Sequence, residues 1–331
     1  MASERALLVA AGGGIGDTLL AGVVARALRS RFAVVDALVL PAHADLASHV
    51  PSVDRVLPLG ARLTERYDAA VVTWATARTA LIPWFARIPV RVGQARRPYS
   101  LLFTRRVVVR SELGDRTAHW TQILLDYARA LGCDTTQTAP QFVVRDDERQ
   151  AAQQLLRVHD VDGAYHVLHP TRGLSAQRSR WPVDGFVALA KRLVARDGVP
   201  VLVTGSPDDA PIAEAIADGA GRGVVAVAGA TTIGMFAAVA ERARAVVAMD
   251  SGPMHVAAAV GAPTVGIFAL QSDEPDRWAP LGAHVATVRP SYPCPPAHRK
   301  ETCPDFACVR ELDEHRILAA LDGLLVTAAE R

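Results

Sequence analysis

The sequence predicts an α/β protein made of two doubly wound domains, and three observations agree on this. The chain has 331 residues, which is too long for one ordinary core. Half of the residues are hydrophobic and 21% are charged, which excludes wholesale disorder. Short apolar runs alternate with amphipathic stretches, a rhythm typical of parallel sheets covered by helices on both faces. We expect domains 1–155 and 156–331.

The rhythm runs through the chain twice. In the first half, the predicted strands are 6–11, 34–40, 69–73 and 141–144, and the predicted helices are 18–31, 42–49, 77–86, 117–131 and 146–159. In the second half, the predicted strands are 165–169, 199–204, 224–228, 245–249 and 264–268, and the predicted helices are 183–196, 208–217, 233–242, 253–260 and 311–325. Ligands of such folds bind where strands end, so the loops after strands are the places to look for chemistry.

The small net charge of +2 hides an asymmetry. Residues 1–150 carry 19 Arg, no Lys and 14 acidic residues, a net +5, while residues 151–331 carry 17 basic and 20 acidic residues, a net −3. The overall balance excludes the strongly basic footprint of a nucleic-acid-binding domain. Arginines cluster between residues 87 and 116, which predicts an anion-binding or membrane-surface patch.

Four cysteines in a chain of this length do not make a disulfide scaffold, so we expect reduced thiols. The first eleven residues lack the basic start and long apolar run of a signal peptide. No window approaches the roughly 18 apolar residues of a membrane-spanning helix. These observations predict a cytoplasmic protein, at most peripheral to a membrane.

The first predicted strand leads into Gly12-Gly13-Gly14-Ile15-Gly16-Asp17. A glycine-rich turn at a helix start lets a backbone approach a phosphate or sugar closely. The dinucleotide fingerprint fails because Asp17 stands where its third glycine belongs, and no Gly-Lys-Ser/Thr follows for a P-loop. Asp17 is therefore either an N-cap of the helix or a general base.

The strand 165–169 leads into a basic loop. This loop carries Thr171, Arg172, Arg178 and Arg180 ahead of Trp181-Pro182. Arginine forks match phosphate oxygens, and the following helix adds its positive end. The loop is interpreted as a diphosphate site, with a merely solvated basic loop as the alternative.

The next predicted strand ends in Gly205-Ser206-Pro207-Asp208-Asp209. A helix cap at Asp208 and a ribose or base contact are both open for this turn.

The strand 245–249 runs into Asp250-Ser251-Gly252-Pro253-Met254-His255. Backbone N–H groups and the dipole of the following helix favour a diphosphate here, and His255 could donate a hydrogen bond to it. Ordinary capping, with Pro253 in the first turn, is the alternative.

Near the C-terminus, Cys294, Cys303 and Cys308 lack the C-x2-C pair of familiar zinc sites, although His298 lies between them. Free cysteines in a folded loop are the preferred interpretation, and no metal site is predicted. Whether these three residues bind a metal is left open by the sequence.

Taken together, these motifs resemble those of the ADP-heptose:lipopolysaccharide heptosyltransferases, glycosyltransferase family 9. The segment Gly14 to Leu19 resembles the family's Gly-Asp-hydrophobic loop, and Asp250 to His255 resembles its D-[ST]-G-x-x-H motif. The segments 169–182 and 205–207 occupy the places of its phosphate and nucleoside loops, and the tail from Cys294 resembles its cysteine-bearing loop.

The resemblance implies a GT-B architecture, two Rossmann-like domains that face a central cleft. The N-terminal domain would hold the acceptor, with Asp17 as catalytic base and Gly14, Gly16, Arg96 and Arg97 in the acceptor loop. The C-terminal domain would hold the nucleotide-sugar, with Thr171, Arg172, Arg178, Arg180, Ser251, Gly252 and His255 at the diphosphate and Asp250, Gly205, Ser206 and Asp208 at the sugar or nucleoside.

The implied reaction is an inverting transfer of a heptose or related sugar from an ADP-sugar co-substrate. It would need no metal or other cofactor, and its acceptor would be an anionic glycolipid or glycan of the lipopolysaccharide-core type. Apolar residues among the arginines, namely Trp84, Phe85, Tyr99, Leu101, Leu102 and Phe103, suit a peripheral contact with the inner membrane face or, alternatively, a buried helix. A nucleotide-sugar epimerase or hydrolase and a non-catalytic nucleotide-sugar-binding module are the alternatives.

The chain departs from the family pattern at three places. Ser179 stands where members often carry a lysine before the Trp-Pro pair. Val72-Thr73-Trp74-Ala75 replaces a common Asp-Leu-Gln-Gly segment, and Pro296 replaces the second cysteine of C-x-P-C. We therefore expect Arg178 or Arg180 to supply the lysine's charge.

Overall fold

The computed structural model describes residues 4–171, 180–295 and 303–329, and the chain divides into two compact units, Met1–Val143 and Val144–Arg331. The sequence placed the boundary near residue 155, inside the helix α6 (Asp146–Val158). This helix belongs to the second unit, where Arg149 makes a bidentate ion pair with Glu241 at 2.9 and 3.0 Å. The sequence of α6, with three acidic residues in its first turn, does not indicate which of the two units the helix packs on.

The first unit is built on a six-stranded parallel sheet of order β3-β2-β1-β4-β5-β6. Its strands are β1 (Arg5–Ala10), β2 (Val34–Val39), β3 (Arg55–Pro58), β4 (Ala69–Val72), β5 (Val90–Gln94) and β6 (Arg105–Val107). Leu7 of β1 pairs with Asp36 on one side and Ala70 on the other. Helices on the sheet are α1 (Ile15–Leu20), α2 (Gly22–Leu28), α3 (Ala44–Ala47), α4 (Ala77–Phe85) and α5 (Trp120–Arg129).

The second unit repeats this strand order with β12-β11-β10-β7-β8-β9. Its strands are β7 (His166–His169), β8 (Val201–Val203), β9 (Val224–Ala226), β10 (Ala245–Met249), β11 (Thr264–Ile267) and β12 (Val285–Val288). Besides α6, its helices are α7 (Val183–Asp197), α8 (Ala210–Ala220), α9 (Ile233–Arg242), α10 (Gly252–Ala259), α11 (Pro275–Trp278) and α12 (Glu314–Ala329). Each unit therefore has the doubly wound topology of a Rossmann-like fold.

Three predicted elements of the first unit differ from the structure. The helix expected over 18–31 is two helices, α1 and α2, which meet at Ala21. The helix expected over 42–49 is reduced to the 3-10 turn Pro41–His43 and the four residues of α3. The strand expected over 141–144 is wrong, because this segment joins no sheet and Val143 instead donates its N–H to the carbonyl of His49.

Each unit has a core of buried apolar side chains. The central strands β1, β4, β7 and β10 are almost completely buried, as expected of parallel strands with helices on both faces. In the second unit, Trp181 is buried against Phe186, with ring centroids 4.7 Å apart, and its indole N–H donates to the carbonyl of Leu312 at 2.7 Å. This contact ties the start of α7 to the segment before α12. Within the described residues, no helix has the length and apolar character needed to cross a membrane.

Candidate active site

Both sheets reverse their strand order between their two central strands, and the loops that follow those strands carry the candidate residues. In the first unit the reversal lies between β1 and β4, with Asp17 after β1 and Trp74 after β4. In the second unit it lies between β7 and β10, with Thr171 after β7 and Asp250 after β10. Ligands of doubly wound sheets bind at such switch points.

Asp17 lies in the first turn of α1, and its Oδ2 accepts the backbone N–H of Gly14 at 2.7 Å. Burial raises the pKa of the Asp17 carboxyl, and the N–H groups of Gly14 and Trp74 oppose that rise. A carboxylate with a raised pKa is a stronger base than an exposed one, and it still has an ionised form to accept a proton. The same side chain that caps the helix start can therefore act as a general base.

The glycine loop holds Asp17 through close backbone contacts. Gly13 has a φ of +71°, and a β-carbon on it would collide with the Asp17 side chain. A β-carbon on Gly12 would lie 2.8 Å from the β-carbon of Trp74. Of the predicted acceptor-loop glycines, Gly14 is the N-cap of α1 and Gly16 lies inside that helix. In this loop, these contacts require glycine only at positions 12 and 13.

Aromatic side chains line the loop after β4, and no functional role was predicted for Trp74 or Trp120. Trp74 and Trp120 have ring centroids 5.9 Å apart with planes tilted by 44°. The hydroxyl of Tyr99 donates to the carbonyl of Ala75. The base candidate Asp17 therefore lies beside a loop rich in aromatic rings.

The predicted acceptor-loop arginines are engaged within the first unit. Arg97 makes an ion pair with Glu112 at 2.7 Å, and Gln94 donates to the same carboxylate at 2.9 Å. Arg96 has a left-handed backbone, with a φ of +59°, and points Nη1 at the carbonyl of Glu112 at 3.5 Å. Both arginines remain exposed, so they keep access to solvent while Glu112 offsets part of their charge.

In the second unit, a polar cluster joins the loops after β7 and β8, with His169, Thr171 and Thr204 buried and Ser206 exposed. The Oγ1 of Thr171 donates to Oδ2 of Asp209 at 3.1 Å. The same Oδ2 accepts the N–H of Ser206 at 2.8 Å and its hydroxyl at 2.6 Å. His169 lies 3.1 Å from the Thr204 hydroxyl, and burial lowers the pKa of His169 to about 4. This histidine is therefore neutral near pH 7 and serves as a hydrogen-bonding group.

Asp209 was not among the predicted site residues, whereas its neighbour Asp208 was. The structure places Asp208 in an exposed position on the 3-10 turn Pro207–Asp209, with Gly205 buried and Ser206 exposed before it. Asp209 occupies the third position after Ser206, the place from which an acidic side chain returns to the start of a turn. The spacing Ser-x-x-Asp was the available signal.

The segment after β10 opens α10 in the predicted way. Gly252 is its first residue, Pro253 is in the first turn and Ser251 precedes it as N-cap. The Ser251 hydroxyl donates to the carbonyl of Met249 at 2.9 Å and so does not cap the helix itself. His255 is 3% exposed, and Asp250 is half-buried. The first N–H groups of this eight-residue helix lack partners from its own backbone, which favours an anion.

The basic loop is described only in part. Arg180 is half-buried directly before Trp181 and the start of α7. Arg172 and Arg178 lie outside the described residues, as do Ser179, Pro296 and His298.

Among the described residues, Cys294, Cys303 and Cys308 form no disulfide bond. Burial raises the pKa of the Cys294 thiol, and the nearby Cys308 and Cys303 add to that rise, so the three lie in one neighbourhood. The Sγ of Cys303 accepts the N–H of Phe306 at 3.3 Å. Among residues 4–171, 180–295 and 303–329, no group of three or more His, Cys, Asp or Glu side chains is arranged to hold a metal ion.

Comparison with known proteins decides the family of the chain. The model of glycosyltransferase family 9 (heptosyltransferase) matches residues 56–305. The chain belongs to this family. Lipopolysaccharide heptosyltransferase 2 of Salmonella typhimurium is 26% identical over 314 residues, which cover 83% of this chain and 85% of that protein.

Solved glycosyltransferase structures share the fold. The ADP-heptose lipopolysaccharide heptosyltransferase II of E. coli superimposes with a TM-score of 0.77 at 22% identity, over 98% of this chain and 99% of that one. A family 9 glycosyltransferase of Veillonella parvula gives a TM-score of 0.84 at 17% identity, over 98% of both chains. The family that the motifs resembled and the α/β, GT-B fold class are therefore confirmed.

Proposed function

We propose that this family 9 glycosyltransferase moves a heptose from ADP-heptose to a hydroxyl group of a lipopolysaccharide-core acceptor, with inversion at the anomeric carbon. The observation that carries the proposal is the environment of the Asp17 carboxyl. This group lies at the switch point of the first sheet, and burial raises its pKa. The chain that carries it belongs to glycosyltransferase family 9. A relative named lipopolysaccharide heptosyltransferase 2 supports the choice of sugar and acceptor.

In the proposed reaction, an oxygen of the acceptor hydroxyl attacks the anomeric carbon and forms the new glycosidic bond. The bond from that carbon to the diphosphate oxygen breaks, and its electron pair leaves with ADP. Asp17 takes the hydroxyl proton. A general base of this kind contributes about 100- to 10,000-fold to the rate.

The donor belongs to the second unit in this proposal. Thr171, Arg180, Ser251, Gly252 and His255, together with Arg172 and Arg178, meet the negative charge that grows on the leaving diphosphate. Asp250, Gly205, Ser206 and Asp208 bind the sugar or nucleoside. Because arginines and helix N–H groups supply the electrostatic stabilisation, the proposed mechanism requires no metal ion or other cofactor.

The acceptor belongs to the first unit, with Gly14, Gly16, Arg96 and Arg97 near the attacking hydroxyl. We further propose that the protein works in the cytoplasm at the inner face of the cytoplasmic membrane. Trp84 is 47% exposed, Phe85 is 70% exposed and Leu101 is 77% exposed. The helix α4 carries the first two and packs against the 3-10 turn Pro98–Leu102 that carries the third. Apolar side chains among arginines suit an anionic lipid surface and the glycolipid in it.

A nucleotide-sugar panel tests the function. Thermal unfolding with ADP-heptose, other ADP-sugars and UDP-sugars is expected to show the largest stabilisation by ADP-heptose, because a ligand that binds the folded state raises its stability. Transfer is then measured with heptose-deficient lipopolysaccharide as the acceptor.

The other outcomes of this panel distinguish the alternatives. ADP release from the nucleotide-sugar without any acceptor would favour a hydrolase, and conversion to an isomeric nucleotide-sugar would favour an epimerase. Binding without turnover under all conditions would favour a non-catalytic module. Membership of a glycosyltransferase family does not favour these alternatives.

A further inference from the structure

Two buried polar atoms, one at the start of α1 and one in the loop after β4, lack hydrogen bonds of ordinary geometry. Within the described residues, neither Oδ1 of Asp17 nor Nε1 of Trp74 has a partner at ordinary hydrogen-bond geometry. A buried polar atom left unpaired destabilises the folded protein, so such an atom calls for a partner or a functional reason. Of these two atoms, Oδ1 of Asp17 is a hydrogen-bond acceptor and Nε1 of Trp74 is a donor.

These two atoms belong to side chains that already interact. The N–H group of Trp74 lowers the pKa of the Asp17 carboxyl, which places the indole donor within electrostatic reach of the carboxylate. The other carboxylate oxygen, Oδ2, is held by the N–H of Gly14 at 2.7 Å. One oxygen of Asp17 is therefore fixed by the backbone, and the indole donor reaches the carboxylate only outside ordinary hydrogen-bond geometry.

The position of Trp74 is also constrained. Its β-carbon lies so near the backbone of Gly12 that no β-carbon fits on that residue, and its ring contacts Trp120. A tryptophan held at both ends supplies a donor from a fixed direction. Hydrogen bonds of catalytic groups are often long before the substrate binds and tighten in the complex.

We propose that Trp74 is a positioning residue for Asp17. When the acceptor binds, Oδ1 of Asp17 comes into full hydrogen-bond geometry with the fixed indole N–H, which then holds the carboxylate in the orientation that takes the acceptor proton. This inference rests on the proposed function, since it assigns Asp17 the role of base. With N–H donors on both oxygens, from Gly14 and from Trp74, the carboxylate keeps one orientation. Oδ1 retains a second lone pair for the acceptor hydroxyl.

The test is the pH profile of the transfer reaction in Trp74→Phe, which keeps an aromatic ring and removes the N–H donor. Without that donor the carboxylate form loses a stabilising group, so the acid limb of kcat/KM moves to higher pH. At neutral pH, kcat falls on the order of tenfold, the range for one hydrogen bond to a charged group, while ADP binding is unchanged.

Trp120→Phe is the matched control, because it makes the same substitution in the adjacent ring, which does not act on the pKa of Asp17. Its acid limb is expected to coincide with that of the parent protein. Thermal unfolding of both variants separates loss of fold from loss of positioning. Should Trp74→Phe fail to unfold cooperatively, Trp74→Leu, which also lacks a donor, is measured by the same criteria.

The outcomes separate this inference from the proposed function. Identical acid limbs and kcat values in the Trp74 and Trp120 variants would overturn the positioning role while leaving Asp17 as the base. Turnover that persists in Asp17→Asn, or a parent protein that transfers no sugar, would instead overturn the proposed function itself.

Discussion

The Asp17 carboxyl is subject to two opposing influences at the scale of a single residue. Burial raises its pKa, and the N–H groups of Gly14 and Trp74 lower it, with burial the larger effect. Since the base must be ionised to accept a proton, activity is present above the folded-state pKa and is lost as the pH falls through it. The acid limb of kcat/KM is therefore expected above the usual aspartate value of about 3.9.

Replacing Asp17 by Asn tests the base directly. The amide keeps the size of the side chain and an oxygen for the Gly14 N–H, but it cannot accept the acceptor proton. We expect kcat to fall by about 100-fold or more. Isothermal titration calorimetry with ADP-heptose should show unchanged donor binding, and an acid limb or a turnover like that of the parent protein would contradict the assignment.

At the scale of elements, one carboxylate connects two loops of the second unit. Asp209 opens α8, and its Oδ2 binds both Thr171, after β7, and Ser206, after β8. The loops that carry the predicted phosphate and nucleoside contacts are thereby fixed to each other. Their relative position depends on Asp209 more directly than on Asp208, the residue that the motif had suggested.

Asp209→Ala is predicted to remove the hydrogen bonds that join the loops of Thr171 and Ser206. Loss of the bond to the Ser206 N–H is expected to destabilise the protein by about 1 kcal/mol, as for other helix-start caps. ADP binding should weaken because Thr171 loses its partner, and titration calorimetry measures this. The neighbouring Asp208→Ala is the control for stability, since Asp208 is exposed, and an equal loss of melting temperature in both variants would contradict the assignment.

The sequence predicted the central elements well and the edges poorly. Buried strands such as β1 and β10 are continuous apolar runs, which a parallel sheet requires. The strands β3, β5, β6 and β12 were missed because edge or near-edge strands are partly exposed and carry polar residues, as Arg105 and Arg106 do in β6. The hydrophobic pattern of a sequence reveals strands that are buried, and it is weak in these strands because they are only half buried.

Part of the candidate site was also accessible from sequence. Asp17, Thr171 and Asp250 follow strands, so their place at the switch points could be inferred from the β-α-β rhythm. The contacts of Trp74 with Asp17 and of Arg97 with Glu112 depend on how separate loops meet. Local sequence patterns do not predict contacts between separate loops, because these contacts depend on how elements far apart in the chain pack together.

At the scale of the whole molecule, charge is distributed unevenly along the chain. From residue 69 to residue 111 there are eight arginines and no acidic residue. Some of these arginines are engaged, as Arg91 is with the carbonyls of Ile88 and Leu102 and Arg110 is with Asp126. Others, including Arg78, Arg87 and Arg106, are exposed. Exposed cations beside Phe85 and Leu101 give this segment an attraction to anionic surfaces.

Vesicle sedimentation tests that attraction. The protein is expected to bind vesicles that contain phosphatidylglycerol more strongly than vesicles of phosphatidylcholine alone, and added salt should weaken the binding. The double variant Phe85→Ser, Leu101→Ser should bind several-fold less. Val158→Ser is the control, because Val158 is 66% exposed but lies on α6 of the second unit. Equal binding to both vesicle types, or equal loss in the control, would contradict the membrane proposal.

The contact between Gly12 and Trp74 has a consequence for how this enzyme can change in evolution. The atom that excludes a side chain at Gly12 is the β-carbon of residue 74, which every amino acid except glycine carries. Gly12 is therefore fixed by the approach of two backbones and does not depend on which side chain stands at position 74. The glycine is therefore expected to be retained in relatives whatever residue stands at position 74, whereas the indole at that position is retained only where its contact with Asp17 is needed.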